Sequence, residues 1–329
     1  MSWVPLALRV PATSANLGSG FDTLGMALSL YNVFIVRELR ENNDFACTAV
    51  GEGAFDLTND PSDNMVISSY LKACELWGLT PQGFSLECHN VIPFCRGLGS
   101  SSTAVVAGVA LADRLSGRRT DEAELLRVMT LIEGHPDNVA PCFLGGMVVS
   151  CWDGKELRFV KLPPLPEDMY VVAAVPDVRV RTHDARNALP RDVPFGDAVF
   201  NLGRAALLCA AWATRQWDLL SWGMDDRLHQ PFRSRLFPGG EVIMDRVRSN
   251  TGCVGVAISG SGPTVVALVR GAPSPVAREM CRTFSEHGVD SQFFVLKGCA
   301  EGMTLQESWP AQAPREEDGY YETVRGGRL

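Results

Sequence analysis

Four short segments carry residue types suited to phosphate and small-molecule chemistry. The sharpest is PFCRGLGSSSTAVVAG, Pro93 to Gly108. Gly97 and Gly99 permit a backbone turn that residues with a Cβ resist. Ser100, Ser101, Ser102 and Thr103 then open a helix, whose first N–H groups lack intrahelical partners and carry positive partial charge. A glycine turn feeding a helix start is a way of holding phosphate, and the hydroxyls add donors or a hard oxygen for a cation. Serine caps on core helices are common, so a single hydroxyl there would say little. Four in a row after G-L-G point to phosphate. The chain has no G-x-x-x-x-G-K-[ST], no G-x-G-x-x-G and no H-R-D or D-F-G. That sets aside a Walker A loop, a Rossmann fingerprint and a protein kinase.

The other three segments are open to two readings each. VPATSANLGSGFDTLGMAL (10–28) crowds Thr13, Ser14, Asn16 and Asp22 beside Gly18, Gly20 and Gly25. It reads as a site loop or as a surface connection built on Asx turns. GVAISGSGPTVVAL (255–268) joins two apolar runs through Ser259, Gly260, Ser261, Gly262 and Pro263. A hairpin turn explains it, and so does a loop that approaches a ligand closely. In IEGHPDNVAPCFLGG (132–146), Glu133 and Asp137 offer the anionic oxygens Mg2+ prefers, or Asp137 sits near a helix start. His135 and Asp137 do not have a transition-metal spacing.

These segments need elements to position them. Residues 5–10, 28–39, 45–50 and 83–92 read as strands, with 11–25 as a loop. In 59–79 turn residues lead into helical spacing through Val66, Tyr70, Leu71, Cys74 and Trp77, and 100–116 and 121–133 read as helices, the last capped by Thr120 or Asp121. A strand at 145–152 precedes a polar, proline-rich stretch, 153–168, where we place a domain boundary. The second half reads as strand (169–176), a loop with a short helix (177–190), long helix (196–217), helix (240–249), strands (253–259 and 263–270), helix (274–287) and strand (291–297). The recurring β-β-α groupings favour α+β over a doubly wound sheet. The expected division is 1–160, 161–303 and a weakly ordered polar tail, 304–329.

Composition narrows the class further. The chain has 329 residues, 46% hydrophobic and 21% charged, as a globular protein with its own core requires. A net charge of -8 disfavours nucleic acid or an anionic membrane as the main partner. Ten cysteines are scattered without a C-x-x-C pair, so no zinc ribbon or redox dithiol is indicated, and the usage fits a reducing cytoplasm. We expect no signal peptide and no bilayer-spanning run.

Together the segments resemble the GHMP kinase superfamily. Its hallmark P-x-x-x-G-L-G-S-S is matched from Pro93 to Ser101, and 11–25 and 255–265 correspond to its first and third motifs. Within it the likeness is to the homoserine kinases, through PATSANLGSGFDTLGMAL, EGHPDNVAPCFLGG, RTHDARNALP (181–190) and HQPFRSRLFPG (229–239). The resemblance implies a two-domain fold, with an N-terminal domain like the second domain of ribosomal protein S5 and a ferredoxin-like C-terminal domain. It implies ATP-dependent phosphorylation of the homoserine hydroxyl, in threonine biosynthesis, with Mg2+ and commonly as a homodimer. It places ATP on Pro93, Phe94, Cys95, Arg96, Gly97, Leu98, Gly99, Ser100, Ser101, Ser102 and Thr103, with Asn64 at the adenine. Ser101 and Glu133 become metal ligands. Arg186 and Arg233 take the substrate carboxylate, although by sequence alone each is an ordinary surface charge. Asp22 takes the ammonium, and Asn16, His135, Asp137 and Asn138 surround the reacting hydroxyl, with Gly260 closing the site. Some superfamily members use an aspartate–lysine base; PATSANLG has no lysine, which leaves the hydroxyl proton to phosphate or water. A mevalonate or sugar kinase, or a silent ligand sensor on the same fold, are the rival readings.

Overall fold

The computed structural model describes residues 4–41, 43–54, 60, 63–307 and 320–322. The first half builds β1 (Leu6–Ala15), β2 (Leu24–Arg40), β3 (Phe45–Gly51), α1 (Met65–Trp77), β4 (Gly83–Asn90), α2 (Ser100–Leu115), α3 (Glu122–Glu133), α4 (Pro136–Leu144), β5 (Met147–Trp152) and β6 (Leu157–Leu162). The second builds β7 (Met169–Pro176), α5 (Thr182–Asn187), α6 (Phe195–Ala213), α7 (Leu220–Gly223), α8 (Gln230–Arg233), α9 (Gly240–Arg248), β8 (Cys253–Ile258), β9 (Val265–Arg270), α10 (Ser274–Glu286) and β10 (Ser291–Leu296), followed by β11 (Thr304–Glu307) and β12 (Tyr320–Glu322).

One sheet runs β11-β1-β2-β4-β3, with β5 and β6 continuing from β2. The other runs β12-β10-β7-β9-β8 and is antiparallel throughout. Its β7 to β10 follow a βαββαβ order in sequence, the ferredoxin-like pattern. The α+β expectation holds.

Strand periodicity explains how the second sheet packs on both faces. On β7, Val171, Ala173 and Val175 enter one core, while Val172 and Ala174 enter another. On β9, Val266 and Leu268 alternate with Val265, Ala267 and Val269 in the same way. Successive side chains point to opposite faces, so an uninterrupted apolar run is buried on both. The first of these cores also takes Ala12, Leu24, Met26 and Leu28 from the first sheet and Leu208 and Trp212 from α6, so it fuses the two halves. Helices α1 to α4 cover the first sheet through Ile67, Tyr70, Val106, Leu111, Met129 and Val139.

Three expectations change. PATSA is strand, not loop: β1 runs on to Ala15, with a register shift between Pro11 and Ala12. A bulge is where a strand tolerates proline, which cannot donate to the ladder. Residues 157–162, read as part of a polar connection, form a strand paired with β5. Thr304–Glu307, expected in the tail, pairs antiparallel with the outer edge of β1. It covers an edge that would otherwise present open N–H and C=O groups. Asp121 rather than Thr120 caps α3, accepting from the Glu124 amide.

Candidate active site

The glycine-rich segments meet although they are far apart in sequence. Helix α2 starts directly behind Gly99, whose φ is 72°, and no side chain caps it. The amides of its first turn are therefore open to a ligand. Glycine is required at 97 and 99 on two counts. Both have positive φ, and an added Cβ would lie 2.2 Å from the Ser259 carbonyl oxygen at Gly97 and 2.0 Å from Thr13 Oγ1 at Gly99. The Ser259 hydroxyl lies 2.6 Å from the Gly97 carbonyl oxygen and 2.9 Å from Ser14 Oγ. Thr13 N donates to Leu98 O, and Gly260 N to Ala15 O, both at 3.1 Å. The first and third segments thus lock the glycine-rich turn at 97–99.

A cleft opens over this knot. Asn16, Asp22, Pro93, Cys95 to Ser102, Glu133, His135, Asp137, Asn138, Arg186, Arg233 and Gly260 all line it. Phe94 and Asn64 line a neighbouring, more apolar cavity that shares Cys95, Ser100 and Ser101 with the cleft. Asn64 is also the N-cap of α1, its Oδ1 accepting from Val66 N and Ile67 N at 3.1 Å. Thr103 lines neither. It is fully buried, donating to Ser100 O and accepting from Asn32 Nδ2. Asn138 Oδ1 accepts from Thr13 Oγ1 at 2.8 Å, and Asn16 Nδ2 donates to Gly260 O at 2.9 Å.

The cleft is charged asymmetrically. Asp22 and Arg186 form a two-pronged ion pair, 2.8 and 2.9 Å, which raises the Arg186 pKa. Arg233, 2% exposed, donates to the Gly260 carbonyl oxygen at 2.8 Å while its Nε has no partner among the described residues. Burial, and next the nearby Arg186 charge, push the Arg233 pKa down to about 10. Both guanidiniums face the Phe21 ring, at 5.7 Å for Arg186 and 5.0 Å for Arg233. Each aromatic face attracts a cation and helps hold two like charges near each other.

His135 Nδ1 lies 2.5 Å from Asp137 Oδ1. Burial disfavours the charged imidazole, but the Asp137 hydrogen bond and the charges of Asp137 and Glu133 outweigh it, and the His135 pKa rises. A raised histidine pKa contributes stability that is full below the unfolded value and disappears as pH climbs through the folded one. The melting temperature of the wild type should therefore exceed that of His135→Gln most at pH 6 or below, with the gap closing toward alkaline pH. Thermal melts across that range check this; a gap that widens with pH would contradict it.

Glu133 Oε1 accepts from Ser101 Oγ at 3.1 Å and Ser102 Oγ at 2.7 Å. Among the described residues, no group of three or more His, Cys, Asp or Glu side chains forms a metal cage. One carboxylate beside hydroxyls at a phosphate loop suits Mg2+, which keeps most of its sites for water and phosphate.

Sequence reading missed Phe21, Val180 and Thr182 as neighbours of the site, and Ser14 and Ser259 as its fasteners. Thr182 sits in the arginine-bearing stretch 181–190 and could have been noticed there. Phe21 gives no local sign of its cationic neighbours.

The fold and cleft define a GHMP-type small-molecule kinase. The family model "GHMP kinases N terminal domain" matches residues 64–146, and "GHMP kinases C terminal" matches 208–286. The homoserine kinase of Carboxydothermus hydrogenoformans is 42% identical over 292 residues, 89% of this chain and 94% of that protein. That of Thermus thermophilus is 41% identical over 305 residues, 92% and 98% respectively. The crystal structure of homoserine kinase from Cytophaga hutchinsonii superposes with a TM-score of 0.80 at 31% identity, covering 93% of this chain and 98% of that one. A Lactococcus lactis galactokinase shares the fold alone, at a TM-score of 0.68 and 13% identity. The chain belongs to the homoserine kinases of the GHMP kinase family.

Proposed function

We propose that the cleft transfers the γ-phosphoryl group of ATP to the side-chain hydroxyl of L-homoserine, giving O-phospho-L-homoserine and ADP on the route to threonine. One observation carries this reading. Asp22, Arg186 and Arg233 gather opposite the uncapped start of α2, so a site for a zwitterion faces a site for phosphates.

The amides at 97–102 hold the triphosphate, and the apolar cavity beside Asn64 and Phe94 takes the adenine. Entry of homoserine opens the Asp22–Arg186 pair: the ammonium goes to Asp22, and the carboxylate to Arg186 and Arg233, where guanidinium binds two oxygens at once. Asp137, oriented by His135, accepts the hydrogen bond of the substrate hydroxyl, with Asn16 and Asn138 shaping the pocket wall. The hydroxyl oxygen then forms its bond to the γ-phosphorus in line with the breaking bond to the ADP oxygen, and the proton passes to phosphate or water. Such transfers depend on positioning and charge neutralisation. Ser101 and Glu133 would hold Mg2+, which neutralises phosphate charge.

We divide the chain just after β6, which ends at Leu162 beyond the expected 160/161, into the unit carrying the glycine-rich loop and the one carrying α5 to α10. We read the enzyme as a cytoplasmic homodimer acting on small molecules. None of its ten cysteines is in a disulfide, and among the described residues no helix is long and apolar enough to cross a membrane. The dimer rests on the family resemblance.

A coupled ADP-release assay across homoserine, serine, threonine, mevalonate and galactose tests the reading. Turnover should be greatest with homoserine. Mevalonate lacks the ammonium that Asp22 would bind, so faster turnover with mevalonate or galactose would move the chain to another branch, and no turnover with any would indicate a sensor.

A further inference from the structure

We infer that Asp226 and His229 are positioning residues that hold the loop Asn16–Asp22 and Arg233 in one frame, and so set the homoserine side of the cleft. This rests on the reading of that cleft given above.

The loop needs holding. Asn16, Leu17 and Asp22 all have positive φ, 70°, 46° and 54°, a region that non-glycine residues leave unless their surroundings impose it. The surroundings are the segment 223–229. The Gly18 carbonyl oxygen lies 2.7 Å from His229 Nε2, and Ser19 Oγ donates to Gly223 O at 2.6 Å. Gly18 packs so closely on Met224 that an added Cβ would lie 1.9 Å from the Met224 carbonyl oxygen. The Phe21 ring stacks on the His229 ring, centroids 5.2 Å apart. A carbonyl can only accept, so His229 carries its proton on Nε2. His229 is fully buried, its Nδ1 has no partner among the described residues, and burial lowers its pKa, which keeps it a neutral donor.

Asp226 sets His229 in place. Its buried carboxylate accepts from the backbone amides of Leu228, His229 and Gln230 at 3.0, 3.0 and 2.7 Å, and from Asn201 Nδ2 at 2.8 Å. These bonds fix the turn into α8, the helix that ends in Arg233. Gln230 Oε1 then accepts from Ile258 N at 2.8 Å, fastening the strand that leads to Gly260. The Gly260 carbonyl receives both Asn16 and Arg233, which closes the circuit. Neither Asp226 nor His229 lines the cleft, so each acts through the groups it holds.

The test compares His229→Leu, which loses the donor, with His229→Gln, whose amide keeps one. KM for homoserine, KM for ATP, kcat and melting temperature are measured on the full chain. His229→Leu should raise the homoserine KM about tenfold, the scale of a lost buried hydrogen bond, with the ATP KM within about twofold and His229→Gln recovering most of the loss. If His229→Leu does not fold, Ser19→Ala, which cuts the second tether of the same loop, must show the same selective rise. A folded His229→Leu with unchanged homoserine KM, a parallel rise in both KM values, or no selective rise in Ser19→Ala when that variant stands in, overturns the proposal. The wild type separates the two readings. No phosphorylation of homoserine by the wild type sinks the function and this proposal together, whereas normal wild-type activity with unselective variants sinks this one alone.

Discussion

Arg233→Met raises the homoserine KM by about a hundredfold or more, the scale of losing a buried charge-assisted contact, while the melting temperature stays level or rises. The two effects have one cause. Arg233 is 2% exposed, sits near Arg186, spends one nitrogen on the Gly260 carbonyl and leaves its Nε without a partner among the described residues. A guanidinium held that way costs the fold more than methionine of similar length, which keeps the stem's packing and needs no partner. Its depressed pKa, about 10, records the same strain. On the proposed function, the substrate carboxylate supplies the partner this guanidinium lacks. Steady-state kinetics and a thermal melt on the same preparation check it. A variant that melts lower while keeping its homoserine KM would show that Arg233 serves the fold and not the substrate.

Asp137→Asn acts on the other kinetic constant. It should lower kcat by about 10- to 150-fold, the scale of losing a charge-assisted hydrogen bond to the reacting hydroxyl, with ATP affinity within about twofold. Asparagine keeps the shape and an oxygen for His135 Nδ1, so the pocket stays assembled. It removes the negative charge that attracts the hydroxyl hydrogen as the new O–P bond forms. The glycine-rich turn proposed to hold the phosphates is built from glycines 97 and 99 and from Ser14 and Ser259, none of which hydrogen-bonds to Asp137 among the described residues. Single-turnover rates and nucleotide binding measured separately decide it. Weakened ATP binding with intact turnover would contradict the assignment.

Much of the site was legible because its signals are local. Positive φ at Gly97 and Gly99 and the open amides of α2 arise within a few residues, so GLGSSS announces them. The alternating and continuous apolar runs likewise placed the central strands. What went unread depends on contacts made at a distance. Asp22 and Arg186 are 164 positions apart, and the expectation that each waits for its own substrate charge did not foresee that they pair with each other. Asn64 does line the apolar cavity, and its side-chain oxygen also caps α1, a second duty the expectation did not include. Thr103 looked like part of the loop, yet helical rotation turns it inward to Asn32. PATSA looked like loop because small polar residues are read as connections. It is strand because β2 pairs along it as far as Ala15.

By itself the amino-acid sequence determined the alternation of elements, the glycine-rich turn before α2 and the residue types gathered in the cleft. Each follows from backbone preference or side-chain period over a short stretch. The tertiary structure alone decided which charges neutralise one another, which polar groups are consumed as caps and fasteners, and that Phe21 and His229 stand behind the two arginines. Those outcomes depend on distance and burial, which set the strength of an ion pair or hydrogen bond and have no counterpart in residue order.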